Sequence, residues 1–243
     1  MDHLIYTAVS GATRSLSQQQ IHANNLANVN TQGFRHDLDS ALSQPIQGEG
    51  YASRYLVQHQ QGGVDLTPGA TRVTGRDLDV AIKGSGLIAL VSGNREVYTR
   101  NGQIEVGPEG ELTIDGLPVS GDNGPIVLPP FTAITIADDG VISIVPDDGN
   151  VAAPMEIDRI KLVDIPAAQL SKNSAGFMIT AANVNPRTEE VELVSRHLES
   201  SNVSAINEMV SSIALNRQFE AQIKMMKAAE DLATAGNRLL RNT

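Results

Sequence analysis

The first thirty residues and the last forty share a period. Near the N-terminus, Ile5, Ala12, Gln19 and Leu26 fall seven apart, flanked by Val9, Leu16 and Ala23. Between Asn202 and Arg241, apolar and small residues recur in alternating steps of four and three: Leu215, Phe219, Gln222, Met226, Ala229, Ala233, Gly236 and Leu240. A seven-residue repeat marks a helix stripe that packs on another helix. Charges hold the far side of the second segment at the same period, at Arg217, Lys224, Asp231 and Arg238. With no Pro and a single Gly, this stretch predicts one helix of roughly 60 Å at 1.5 Å per residue, longer than a small domain can cover. Something long must lie along it.

The N-terminal segment differs on its polar side. Ser, Thr, Gln and Asn fill it, and its only formal charges are Asp2 and Arg14. Side-chain amides and hydroxyls of this kind suit packing inside an assembly, where they find partners. The plainer alternative is a surface helix on a globular domain. The helix is expected to fail at Asn28–Gly33, where Gly33 can take a positive φ, and Phe34 is expected to anchor the exit.

Residues 44–75 are rich in Gln and Gly and read as a linker or an extended, partly β arm, with a flexible loop as the alternative. From Asp77 the period changes to two. Leu78, Val80 and Ile82 alternate with Asp79 and Ala81, Leu87–Val91 has the pattern of a buried strand, and Ile134, Ile136, Ile142 and Ile144 flank an Asp139-Gly140 hairpin turn. Short strands with Gly and Asp turns and no helix between them imply antiparallel β structure. Asn202 or Ser204 is placed to cap the final helix. The predicted fold is therefore α+β: long N- and C-terminal helices forming a coiled-coil pair, with an inserted antiparallel β domain. The divisions are residues 1–35, 36–75, 76–198 and 199–243.

Charge sharpens this picture. The net charge of −10 argues against nucleic acid as a partner. Residues 1–43 and 199–243 are close to neutral, so the middle of the chain carries almost all of the negative charge. Neutral ends suit segments that pack on copies of themselves. There is no Cys, hence no disulfide or thiolate chemistry. No segment has the ~18 apolar residues of a membrane helix, and the N-terminus lacks the basic flank and apolar core of a secretory signal.

Candidate chemistry is weak. Gly84-Ser85-Gly86-Leu87-Ile88-Ala89 matches a dinucleotide-binding pattern, but a strand follows where a helix must hold the pyrophosphate. Asp138-Asp139-Gly140 and Asp147-Asp148-Gly149 lack the alternating acids and distal Glu of a calcium loop. The five His are scattered, and no Ser sits in a nucleophile elbow. No enzyme activity, cofactor or metal site is expected. Met209, Met225 and Met226 lie at helical spacing and read as packing residues.

The run from Ala23 to Arg35, ANNLANVNTQGFR, resembles the N-terminal signature of flagellar axial proteins, the rod and hook components. LESSNVSAINEMV, from Leu198 to Val210, followed by Arg217-Gln218-Phe219-Glu220, resembles their C-terminal signature. Asp77–Gly86 and Tyr98–Gly102 resemble their β region, and the opening residues are most similar to the proximal-rod members. Gln32 departs from a frequent Pro and Leu87-Ile88 from frequent paired aromatics. The resemblance implies a structural subunit, exported without a cleaved signal through the flagellar type III apparatus. It implies polymerisation with copies of itself and other rod proteins into the shaft that crosses the periplasm. The terminal helices would form the inner layer and the β domain the outer. The positions expected to carry subunit packing are Ile5, Ala12, Leu16, Leu26, Phe34, Met209, Ile213, Phe219, Met226 and Leu240.

Overall fold

The structure is a computed structural model and describes residues 2–45, 55–60, 62–147, 154–182 and 184–241. The chain divides into two compact units. Met1–Ala27, Asp37–Gly62 and Ser204–Thr243 form a helical unit; Asn28–His36 and Gly63–Val203 form a β unit.

In the helical unit, α1 spans Asp2–Ala27 and α2 spans Ala205–Arg241, 26 and 37 residues. The two lie side by side and antiparallel. His22 meets Glu208, Gln19 meets Asn216, and a Cβ added at Gly11 would collide with the Gln222 amide. An antiparallel hairpin, Ser40–Pro45 with Tyr55–Gln60, completes the unit and falls inside the stretch read as linker or arm. The least exposed stripe of α2 runs through Leu215, Phe219, Gln222, Met226, Ala229, Ala233 and Gly236, as its period predicted. On α1 the inward stripe is Ala8, Ala12, Ser15, Gln19, His22 and Asn25, whereas Val9, Leu16 and Ala23 face out.

This overturns the coiled-coil pair in the expected fold. A coiled coil needs large apolar knobs from both helices at the seam. Here α2 offers Leu215, Phe219 and Met226, but the α1 side is mostly Ala, Ser and Gly with hydrogen-bonded amides, and a histidine faces the Glu208 carboxylate. The helices pair through close approach and polar contacts. The antiparallel β region of the expected fold is present: the described strands of the β unit fall into six antiparallel sheets, and a seventh lies in the helical unit.

In the β unit, Leu87–Ser92 and Arg95–Thr99 pair at the centre of a five-stranded sheet that also holds Leu162–Val163, Leu170–Lys172 and Met178–Thr180. Val80–Lys83 pairs with Glu192–Ser195, and Thr71–Val73 with His197–Glu199. The Ile-rich hairpin is present, Phe131–Ile136 against Val141–Pro146, extended by Met155–Arg159. Its loop holds three residues rather than the two expected. Ala137 and Val141 still pair, and Gly140 supplies the left-handed position at φ +84°. Alternation sends Ile134, Ile136, Ile142 and Ile144 inward to join Ile88, Leu90, Ile104, Leu112 and Ile114 in the main core. A second cluster forms around Leu87, Tyr98, Val163 and Met178. At about 25 cal/mol per Å² of buried apolar surface, these closed cores supply most of the unit's stability.

Candidate functional site

The residues expected to carry subunit packing fall into four groups. Ala12 is buried between the helices, and Ile5, Leu26, Phe219 and Met226 are half-buried. Leu16, Met209 and Ile213 are exposed on the helical unit. Phe34 belongs to the β unit, where the Lys172 ammonium sits 3.7 Å from its ring centroid and bonds the Arg35 carbonyl at 2.6 Å. Leu240 lies in the last turn of α2, outside the residues whose side chains are described.

The helical unit presents two surfaces. The inward one is a ladder of polar contacts. The His22 ring lies 2.7 Å from the Glu208 carboxylate, and the Asn25 amide reaches the same oxygen at 3.5 Å. Asn25 also clasps the backbone of Asp37, accepting from its N–H at 2.9 Å and donating to its carbonyl at 3.1 Å. Asn24 and Gln18 donate to the carboxylates of Asp37 and Asp39. Part of the neutral polar face of α1 therefore finds its partners within the chain.

The outward surface is apolar in places where a lone soluble helix would be charged. On α2, Ile206, Met209, Val210 and Ile213 are 71, 47, 61 and 53% exposed. Their spacing of three, four and seven puts them on one face. At 100° per residue that face is opposite the stripe meeting α1. On α1, Tyr6, Val9 and Leu16 are 70, 44 and 46% exposed.

The β unit holds a different kind of site, a charge cluster with almost no access to water. Arg35, Glu199 and Arg100 are 0, 1 and 2% exposed. Arg35 Nη2 donates to Glu199 Oε1 at 2.5 Å. Arg100 Nη2 reaches the same oxygen at 3.3 Å, and its Nε makes an ion-pair contact of 3.0 Å with Oε2. Arg100 also donates to the carbonyls of Gly86 and Gly84, each at 2.8 Å. The glycines of the supposed dinucleotide pattern are thus a turn that grips an arginine. Burial lowers the Arg100 pKa, the Glu199 charge opposes that shift, and Arg35 adds to it. The Gly69 N–H completes the Glu199 shell at 2.8 Å.

Local backbone makes the cluster possible. Gly33 donates to the Glu199 carbonyl at 2.8 Å and sits at φ +64°. A Cβ there would stand 2.2 Å from the Arg100 carbonyl carbon, so only glycine fits. Asn202 does not cap α2. Its amide donates to the carbonyls of Asp65 and Thr67, and its oxygen accepts from the His36 N–H at 2.7 Å. The residues resembling the N-terminal and C-terminal signatures are therefore joined by Gly33–Glu199 and Arg35–Glu199, and His36–Asn202 adds a contact just past the first. Sequence reasoning missed this cluster. Its one visible signal was that Arg35 is the single charge in the run from Ala23 to Arg35.

Among the described residues no helix is long and apolar enough to cross a membrane, and no group of three or more His, Asp or Glu is placed to hold a metal ion.

Three family descriptions match the chain: "Flagella basal body rod protein" at residues 5–35, "Flagellar hook protein FlgE/F/G D1 domain" at 81–144, and "Flagellar basal body rod FlgEFG protein C-terminal" at 194–239. The flagellar basal-body rod protein FlgF of Salmonella typhimurium is 40% identical over 250 residues, covering 99% of both chains, and the FlgF of Escherichia coli gives the same figures. The rod protein FlgG of Bacillus subtilis is 29% identical, with 94% of this chain and 95% of that one covered. The first two matches run the length of both chains and take in both signatures and the β region, so the chain belongs to the flagellar basal-body rod protein family, of the FlgF type, whose members are structural components of the flagellar rod.

Proposed function

We propose that this chain acts as a non-enzymatic subunit of the bacterial flagellar rod, polymerising through its two long helices into the shaft that transmits torque across the periplasm. It needs no cofactor. Its partners are copies of itself and other axial proteins, and it reaches the basal body through the flagellar type III export apparatus without cleavage of a signal peptide. The observation that carries this reading is the outward apolar surface of the helical unit. An isolated chain exposing Ile206, Val210, Ile213 and Tyr6 has surface left over for neighbours.

The test is replacement of the native subunit by a Phe219→Asp variant. Phe219 is half-buried on the stripe facing α1, where a carboxylate is costly to bury. Cells are expected to lose motility and purified basal bodies to lack a complete rod, with the β unit still folded. Motile cells with intact rods would overturn the proposal.

A further inference from the structure

Among the described residues of the helical unit, several apolar surfaces remain uncovered, and two of them lie on different helices. The first is the patch of Ile206, Met209, Val210 and Ile213 on α2. It stops abruptly, since the same face continues with Arg217, Glu220, Lys224 and Lys227. The second is the outer face of α1, through Tyr6, Val9, Thr13, Leu16, Gln20 and Ala23, all exposed. It carries no formal charge along its length. The one basic residue of the helix, Arg14, is turned toward Asp39 at 3.9 Å.

Resting on the structural role proposed above, we infer that the outer face of α1 in one copy receives the α2 patch of a second copy. Charge decides the pairing. An uncharged strip takes an apolar patch without stranding an ion, whereas the continuation of that same face of α2 would desolvate Arg217, Glu220 and Lys224 against it. The contact is confined to the stretch of that face from Ile206 to Ile213, which carries no charge. Because the two surfaces do not overlap, each copy can use both at once, so the contact is heterologous and propagates into an open chain rather than closing a dimer. Each patch alone is small beside the roughly 1,000 Å² that a specific interface needs. Single pairs are therefore weak, and growth depends on subunits that are held at both surfaces.

The chain has no cysteine, so introduced thiols report without background. The double variant Leu16→Cys/Val210→Cys, incorporated into rods and oxidised, is expected to give a ladder of cross-linked multimers, and mixed single variants a Leu16–Val210 dimer. A Val210 self-dimer with no mixed product would overturn the pairing. A second measurement uses charge. Val210→Asp is expected to abolish motility and Leu16→Lys introduced with it to restore at least part of it. Both positions are exposed, so helix content is expected to stay unchanged in each variant. Absence of rescue in folded, exported double mutants overturns this inference while leaving the structural role intact; complete rods formed without the subunit would remove that role.

Discussion

The helical unit and the β unit put their apolar side chains to opposite uses. In the β unit, Ile88, Ile104, Leu112, Ile114, Ile142 and Ile144 are sealed from water, and even the charges of Arg35, Arg100 and Glu199 are internal. In the helical unit the α1 side of the junction is mostly Ala, Ser, Gly and amides against Leu215, Phe219 and Met226 of α2, while Ile206, Val210 and Ile213 are left outside. One unit seals its large apolar side chains and the other leaves several of them exposed. A substitution should therefore damage folding in the first and assembly in the second. Predictions that separate those two outcomes test the contrast directly.

The largest effect is expected at Glu199. Glu199→Ala leaves two arginines facing each other with almost no solvent. Breaking a buried pair from one side costs about 3–5 kcal/mol, so urea unfolding of the β unit is expected to shift by that amount. A shift below 1 kcal/mol would mean that water reaches the guanidinium groups and that the cluster is not closed. Next comes Ile142→Ala, at a position with no exposure. Loss of the buried side chain and the cavity left behind cost about 2–5 kcal/mol.

How far the sequence foretold these two units follows from the range of the interactions. The Ile-rich hairpin was readable because its alternation and its Asp-Gly turn lie within sixteen residues of chain, Phe131 to Pro146. The inward stripe of α2 was readable for the same reason, as a local period. On α1 the pattern was readable only in part: Ala12 and Gln19 of its seven-residue stripe do face inward, but the flanking residues do not. Val9 and Leu16 are the conspicuous hydrophobic residues, but close approach of two helices selects Ala8, Ala12 and Ser15, which carry little hydrophobic signal. The coiled-coil expectation failed at that point. The charge cluster joins residues 164 and 99 positions apart, so no local period records it. The Asn202 amide was absorbed by backbone 135 and 137 residues away, and a helix-capping rule has no means of seeing that competition.

A middle-sized effect is expected where the helices meet. Glu208→Ala removes the carboxylate that His22 and Asn25 share, leaving buried polar groups short of a partner at about 1–3 kcal/mol. The loss should appear in the unfolding of the helical unit and leave the β unit unchanged. A smaller effect comes from pH. Tyr98 is buried, and burial raises its pKa above the usual 10.0, as does the neighbouring Glu96 carboxylate, while a hydrogen bond from Asn185 opposes the shift. The neutral phenol is favoured in the folded state. Its contribution is complete below the pKa of the unfolded chain and is lost as pH rises from there through the higher folded value. Stability of the β unit should fall more steeply above pH ~10 than that of a Tyr98→Phe variant; parallel curves would refute this.

The smallest expected effect on folding is the most informative. Ile213→Ala removes a side chain that is 53% exposed on α2. In the β unit the loss of an isoleucine side chain at position 142 opens a cavity; here it leaves only water where water already was. Exposed substitutions generally lie within about 0.5 kcal/mol, and Ala exceeds Ile in helix propensity by a few tenths. Thermal unfolding of the isolated chain is therefore expected to be unchanged or slightly raised. Rod assembly is expected to fall, because the same side chain belongs to the apolar patch of α2. If Ile213→Ala destabilised the monomer as strongly as Ile142→Ala, the side chain would be packed within its own chain. The division between a self-contained unit and one completed by its neighbours would then be lost. If the variant were stable and cells swam normally, the patch would be exposed surface without a partner. A stable monomer with defective rods is the outcome that only the present reading predicts.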